Sequence, residues 1–269
     1  MLKKIIYIAL FFSFCFVFNS CSGEDNSVNE NVNTGDNNSN NNTNSSGYIP
    51  QNYSMIKEDN FSSFNTENWS KGLTHDSDPT IRMKWNKNTG GENLLNDNYA
   101  GYLMDNNVYV KDGLLYLENK KESISGTDPV GEFNYSTGWI NSLQKINFNG
   151  TENGIYIELK VKFPKGDKVW PAIWLIDDSE NRVWPPEIDI WEYFGQFFRT
   201  NRKDEMWLRY IYGLWNDKKD HSSALENFQS TYNSSTQFHI YGFNWTNSDM
   251  KWYIDCLLYT SPSPRDLAV

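Results

Sequence analysis

Pro185-Pro186-Glu187-Ile188-Asp189-Ile190-Trp191-Glu192-Tyr193-Phe194-Gly195 packs three carboxylates into the six residues from Glu187 to Glu192, with no Lys or Arg among them. The residues between the acids are β-branched or aromatic, which predicts a strand rather than a helix. On a strand, side chains alternate faces, so Glu187 and Asp189 share one side. Glu192 lies five positions after Glu187 and would point away in a regular strand. One extra residue in a β-bulge restores all three acids to one face, and bulges recur where an active site must re-aim a side chain. Three like charges on one face without basic partners are costly, which favours a functional reason over a merely soluble edge.

Spacing points to a class of chemistry. With one step absorbed by the bulge, Glu187 and Glu192 stand roughly 13 Å apart along the backbone, at about 3.3 Å per residue. Side chains leaning inward shorten this to about 5–6 Å between carboxyls, near the ~5–5.5 Å of a nucleophile and acid/base pair in a retaining glycosidase.

Working outward, Gly154 to Pro164 alternates cleanly: Ile155, Ile157, Leu159, Val161 and Phe163 on one side, Tyr156, Glu158, Lys160 and Lys162 on the other. That pattern predicts an antiparallel strand with one face in a core. Asn107 to Leu117 is a hairpin signal, two β-rich runs around Asp112-Gly113. Further strands are expected at Ala172–Ile176, Glu187–Tyr193, Met206–Tyr212, Phe238–Trp245 and Lys251–Asp255. Asn201–Asp204 and Asn216–Ser223 read as polar loops at the rim of a cleft. No long helical period competes, so the fold class is all-β, an antiparallel β-sandwich or jelly roll.

Composition narrows the partners. The 269 residues carry a net charge of −10, with 16% aromatic content and 11 Trp. An acidic surface repels phosphates, so no nucleic-acid partner is expected. Abundant Trp and Tyr suit the stacking of sugar rings, although each ring also serves as core.

Residues 1–20 read as a leader: Lys3 and Lys4 precede an apolar run from Ile5 to Phe18, too short to span a bilayer. The run ends in Phe18-Asn19-Ser20-Cys21, which resembles a bacterial lipobox, with Phe18 where Leu is usual. Cys21 would then carry lipid, and Ser22-Gly23-Glu24-Asp25 resembles a surface-export signal of Bacteroidetes lipoproteins. The expected location is the outer membrane or cell surface, with a cleaved signal and a secreted or periplasmic protein as the alternative. Residues 21–54, rich in Asn and Ser, read as a flexible tether.

Cys15 falls in the leader and Cys21 at the anchor, so Cys256 has no disulfide partner in the sequence. His75, His221 and His239 are too scattered for a zinc site. No metal and no cofactor is indicated, a structural calcium ion included.

Several stretches, in order, resemble glycoside hydrolase family 16, the jelly-roll (concanavalin A-like) enzymes that include laminarinases, β-agarases, κ-carrageenases and lichenases. They are Tyr135–Ser142 (YSTGWINS), Ile157–Pro164 (IELKVKFP), Trp170–Leu175 (WPAIWL, similar to W-P-A-x-W-L), Glu187–Glu192 (the bulged E-x-D-x-x-E), Phe238–Trp245 (FHIYGFNW) and Lys251–Asp255 (KWYID). The resemblance covers roughly Asn60 to Asp255 and places the catalytic domain at residues 55–255. It implies that Glu187 is the nucleophile, that Glu192 is the acid/base, and that Asp189 tunes both. It also implies Trp170 and Trp174 as sugar-subsite residues, with Trp191 on whichever face the bulge gives it. Trp139 is a third expected sugar contact: many relatives carry Arg where it stands and a His on the strand after the catalytic one, and the resemblance implies that both positions touch sugar rather than perform chemistry. Met206 to Trp215 has no His, and these departures bear on the substrate rather than the reaction.

The activity implied is a retaining endo-β-glycosidase acting on laminarin-type β-1,3-glucan or a marine galactan, as a monomer. The alternatives are a transglycosylase and a non-catalytic glycan-binding surface lipoprotein. In the family, W-Y-x-D is followed by Gly and further strands. Here Cys256 to Asp266 reads like the translation of a sequencing adapter, so residues 256–269 are expected to be an artefact and the domain incomplete.

Overall fold

The structure, a computed structural model, describes residues 3–8, 50, 52–72, 101–127, 130–143, 145–146, 148, 154–167, 169–177, 185–195, 204–214 and 217–260. Its strands are β1 (Lys3–Ile8), β2 (Tyr53–Glu58), β3 (Ser70–Lys71), β4 (Gly101–Leu103), β5 (Val108–Lys111), β6 (Leu114–Leu117), β7 (Asn119–Thr127), β8 (Val130–Thr137) and β9 (Ile140–Asn141). They continue as β10 (Ile155–Val161), β11 (Ala172–Ile176), β12 (Glu187–Phe194), β13 (Glu205–Leu214), β14 (Asp217–Leu225), β15 (His239–Trp245), β16 (Met250–Ile254) and β17 (Leu257–Thr260). A short α-helix, α1 (Phe228–Tyr232), lies between β14 and β15.

Two sheets dominate. One runs β17-β16-β15-β10-β1-β2 and the other β11-β12-β13-β14. The all-β class expected from the strand pattern is present, and each of the predicted strands forms. The core lies between the sheets. Ile155, Ile157, Tyr241, Phe243, Trp252 and Ile254 meet Ile188, Ile190, Trp191, Tyr193, Met206 and Leu208 from the facing sheet. Trp252 also donates its Nε1–H across the sandwich to the Asp189 carbonyl at 3.3 Å.

The hairpin expected at Asp112-Gly113 joins β5 to β6, with both residues at positive φ as a tight two-residue turn requires. Asp255 and Cys256 make the same kind of turn, at φ 47 and 71, and return the chain as β17 against β16. The strand pairing therefore runs past Asp255, where the sequence reading ends the domain. At the other end β2 begins at Tyr53, inside the stretch read as tether. Lys3–Ile8, read as part of the leader, pairs parallel with both β10 and β2. Cys21 and the tether as far as residue 49 lie outside the described residues.

One expectation needs correction. Asn216–Ser223 read as a loop, but Asp217 to Leu225 is the edge strand β14. Its DKKDHSS sequence has no apolar alternation because it is solvent-exposed for most of its length, so backbone pairing with β13 alone makes it a strand. Lys and Asp along it also protect the edge from pairing with other chains.

β10 is more buried than a strand with one face in water. Tyr156 and Glu158, on the side away from the main core, are buried too. Tyr156 sits edge-on to Tyr53 and Tyr253 and donates its hydroxyl to Glu158 Oε2 at 3.0 Å. Room for the Tyr156 ring comes from Gly242, where a Cβ would stand 2.4 Å from its hydroxyl.

Burial pushes the Glu158 carboxyl up to about 7 from an ordinary value of 4.5, and the Tyr156 hydrogen bond offsets this in part. His239 is raised as well, chiefly by its hydrogen bond to Asp255, and both its ring nitrogens face acceptors, Asp255 Oδ2 and the Tyr232 carbonyl, each at 2.6 Å. A raised folded-state value means stability that is complete below the unfolded value and lost as pH rises through the folded one. For Glu158 that window is about 4.5 to 7, and for His239 it opens near 6.5. The unfolding midpoint of the protein is thus expected to fall as pH rises from about 4.5 to 7, and His239 extends that decline above 6.5. Glu158→Gln should flatten the acidic part of that decline. A midpoint that does not change with pH in thermal melts would contradict both assignments.

Candidate active site

The bulge demanded by the acidic stretch is present on β12. Asp189 pairs with Arg209 and Glu192 with Trp207, so three steps on β12 face two on β13. The register against β11 shifts at the same place, with Trp191 opposite Ile173 and Asp189 opposite Trp174. The consecutive residues Ile190 and Trp191 both turn into the core, at 1% and 0% exposure. This settles the face of Trp191. It also returns Glu192 to the side of Asp189 and Glu187, on the outer face of the four-stranded sheet.

Asp189 is 4% exposed and Glu192 5%, while Glu187 is half-buried. Glu192 Oε1 accepts from the indole Nε1–H of Trp170 at 2.8 Å. The backbone beside it is held by Tyr193 N–H on the Pro171 carbonyl and Gly195 N–H on the Val169 carbonyl. Gly195 is required there, because a Cβ would stand 2.4 Å from the Gly166 carbonyl oxygen.

Asp189 Oδ2 is buried with no hydrogen-bond partner among the described residues. Burial first, and then the charges of Glu187 and Glu192, push Asp189 well above the usual carboxylate range, while the Arg209 guanidinium pulls the other way. A carboxyl kept protonated between two others lets a neighbour ionise with less like-charge repulsion.

The three tryptophans expected near the sugar all reach this face. Trp170 is bonded to Glu192, Trp174 stands across from Asp189, and Trp139 meets Trp174 edge-on at 5.7 Å. The sequence reading missed the contribution of β13 and β14. Trp207, opposite Glu192, packs edge-on against Phe194 at 6.0 Å and donates to Glu205 Oε2 at 2.6 Å. Arg209, opposite Asp189, donates to Asp220 on β14. Period-two alternation in Met206–Tyr212 carries a signal for Trp207 and Arg209. Asp220 carries none, because the polar run around it has no alternation to read. Among the described residues no group of His, Cys, Asp and Glu is arranged to hold a metal ion.

Residues 95–264 match the sequence profile of Glycosyl hydrolases family 16. The chain belongs to glycosyl hydrolase family 16. Within the family it is 29% identical over 187 residues to glucan endo-1,3-beta-glucosidase A1 of Niallia circulans, a match spanning 64% of this chain and 26% of that one. To the glucan endo-1,3-beta-glucosidase of Cryptopygus antarcticus it is 33% identical over 110 residues, 39% of this chain and 38% of the other. The chain thus spans well under half the length of either enzyme. The crystal structure of the endo-beta-1,3-glucanase from Pyrococcus furiosus superposes with a TM-score of 0.60 at 24% identity, covering 78% of this chain and 74% of that one, and shows that the family 16 jelly roll is shared.

Proposed function

We propose that this family 16 chain is an endo-acting, retaining β-glycan hydrolase whose preferred substrate is a β-1,3-linked glucan. The observation that carries the reading is the β12 bulge, which gathers Glu187, Asp189 and Glu192 on one face, with Trp170 on Glu192 and Trp174 across from Asp189. Crowded, buried acids are expensive to maintain and have no use in a surface that only binds sugar. The names of the Niallia and Cryptopygus relatives support β-1,3-glucan over galactan as substrate.

In the proposed reaction Glu192 protonates the glycosidic oxygen while Glu187 attacks the anomeric carbon. The aglycone leaves and a covalent glycosyl-enzyme forms. Glu192, now ionised, takes a proton from water as the water oxygen displaces Glu187, which restores both carboxyls and gives a product with the starting anomeric configuration. Sugar in place of water at the second step would give transglycosylation.

The test is oligosaccharide release from laminarin, mixed-linkage glucan, agarose, carrageenan and porphyran, with the first-formed anomer read by NMR. β-Anomeric laminarin fragments are expected. Binding to laminarin with no release from any of the five would replace the hydrolase reading with a glycan-binding one.

We further propose export and lipid anchoring at Cys21, a reading supported by Phe18–Cys21 and the acidic residues after it. Cleavage before Cys21 removes β1 from between β2 and β10. The protein is expected to partition with membranes and Cys21→Ala to release it. Recovery of the unaltered protein wholly in the soluble fraction would refute the anchor.

A further inference from the structure

Among the described residues, the cleft face carries a charge pair that the proposed reaction does not use. Arg209 stands directly across from Asp189 on the neighbouring strand, and opposed residues of an antiparallel pair project to the same side. Its guanidinium is nonetheless committed to the other direction. Nε donates to both oxygens of Asp220 at 3.0 Å, and Nη2 donates to Oδ2 at 2.5 Å. Asp220 pairs with Ile211 on the exposed edge strand β14, one alternation away from Arg209 on the same face. A forked, two-nitrogen grip fixes the orientation of a guanidinium as well as its position.

We propose that Asp220 is a positioning residue: by holding the Arg209 guanidinium on the β14 side of the cleft floor, it keeps that cation off Asp189 and Glu192 and so preserves the proton that the first step needs. This rests on the hydrolase reading above. An arginine released onto a carboxylate favours its ionised form, and an acid that has lost its proton cannot assist the leaving group. The other charged groups on this face do not substitute for Asp220. Glu187 and Glu192 belong to the reacting set, and Glu205 accepts from Trp207. Lys218, paired with Gly213, lies at the far end of β14 from Glu192. β11 offers only Ala172, Trp174 and Ile176 to the cleft. Electrostatics agree with the geometry: Arg209 lowers Asp189 while Asp220 raises it, and Asp189 and Glu192 both favour the charged Arg209.

The experiment is the pH profile of kcat/KM on laminarin for the full chain and its Asp220→Asn, Arg209→Met and doubly substituted forms. In Asp220→Asn the alkaline limb should move to lower pH by about one unit, a typical effect of an uncompensated opposite charge. Arg209→Met should move it to higher pH. The double variant, which loses the pair as a neutral unit, should return close to the parent. A pair that only braces the β13–β14 hairpin would change kcat evenly across pH, and limbs unmoved in both single variants would overturn the proposal. Asp220→Ser removes the same charge and serves if the amide disturbs folding. Absence of hydrolysis by the parent protein would count against the hydrolase reading instead, so the two failures are distinguishable.

Discussion

Glu192→Gln is expected to lower kcat/KM on laminarin by roughly 10²- to 10⁴-fold, the usual contribution of a positioned general acid. The amide keeps an oxygen that can accept from Trp170 Nε1, the contact made at 2.8 Å in the parent, so laminarin affinity and thermal stability should change little. Glu187→Gln should be at least as damaging, because it removes the group that forms the glycosyl-enzyme. The two variants differ with an activated aryl glycoside. A good leaving group needs no proton, so Glu192→Gln should recover the first step and accumulate glycosyl-enzyme on Glu187, visible by mass spectrometry. Glu187→Gln should not. A parent-like rate in Glu187→Gln would remove that residue from the nucleophile role.

Trp191→Ala should cost about 3–5 kcal/mol, the range for truncating a buried large aromatic side chain. Trp191 is fully buried, and its ring meets Tyr241 edge-on at 5.3 Å across the sandwich. Against a total stability of about 5–15 kcal/mol, that loss is a large fraction of the whole. Activity should fall with it, because Trp191 is half of the bulge that turns Glu192 to the cleft. Trp191→Phe should be far milder. The indole nitrogen is buried without a hydrogen-bond partner among the described residues, so its removal relieves a desolvated donor while most of the ring volume stays. Urea unfolding and laminarin turnover measured together would check both. An unchanged unfolding midpoint in Trp191→Ala would show that the bulge is not anchored by the core.

Periodicity carried much of this protein in one dimension. Alternation in Ile155–Phe163 places β10, Asp112-Gly113 places a hairpin, and the five-residue offset from Glu187 to Glu192 demands a bulge. These features are local: strand period, turn conformation and spacing along one strand are set by neighbours in sequence. What crossed between strands was not legible. The direction of Trp191 depended on which bulge residues the facing sheet would bury. β14 is polar from Asp217 to Ser223, and pairing with β13 makes that run a strand. Arg209 and Asp220 are eleven residues apart, and a hairpin register, rather than any motif, brings the guanidinium to the carboxylate. The carboxylates could be read from the sequence because one strand carries all three. The cation beside them needed the tertiary structure, because its orientation is decided by a partner on the strand beyond.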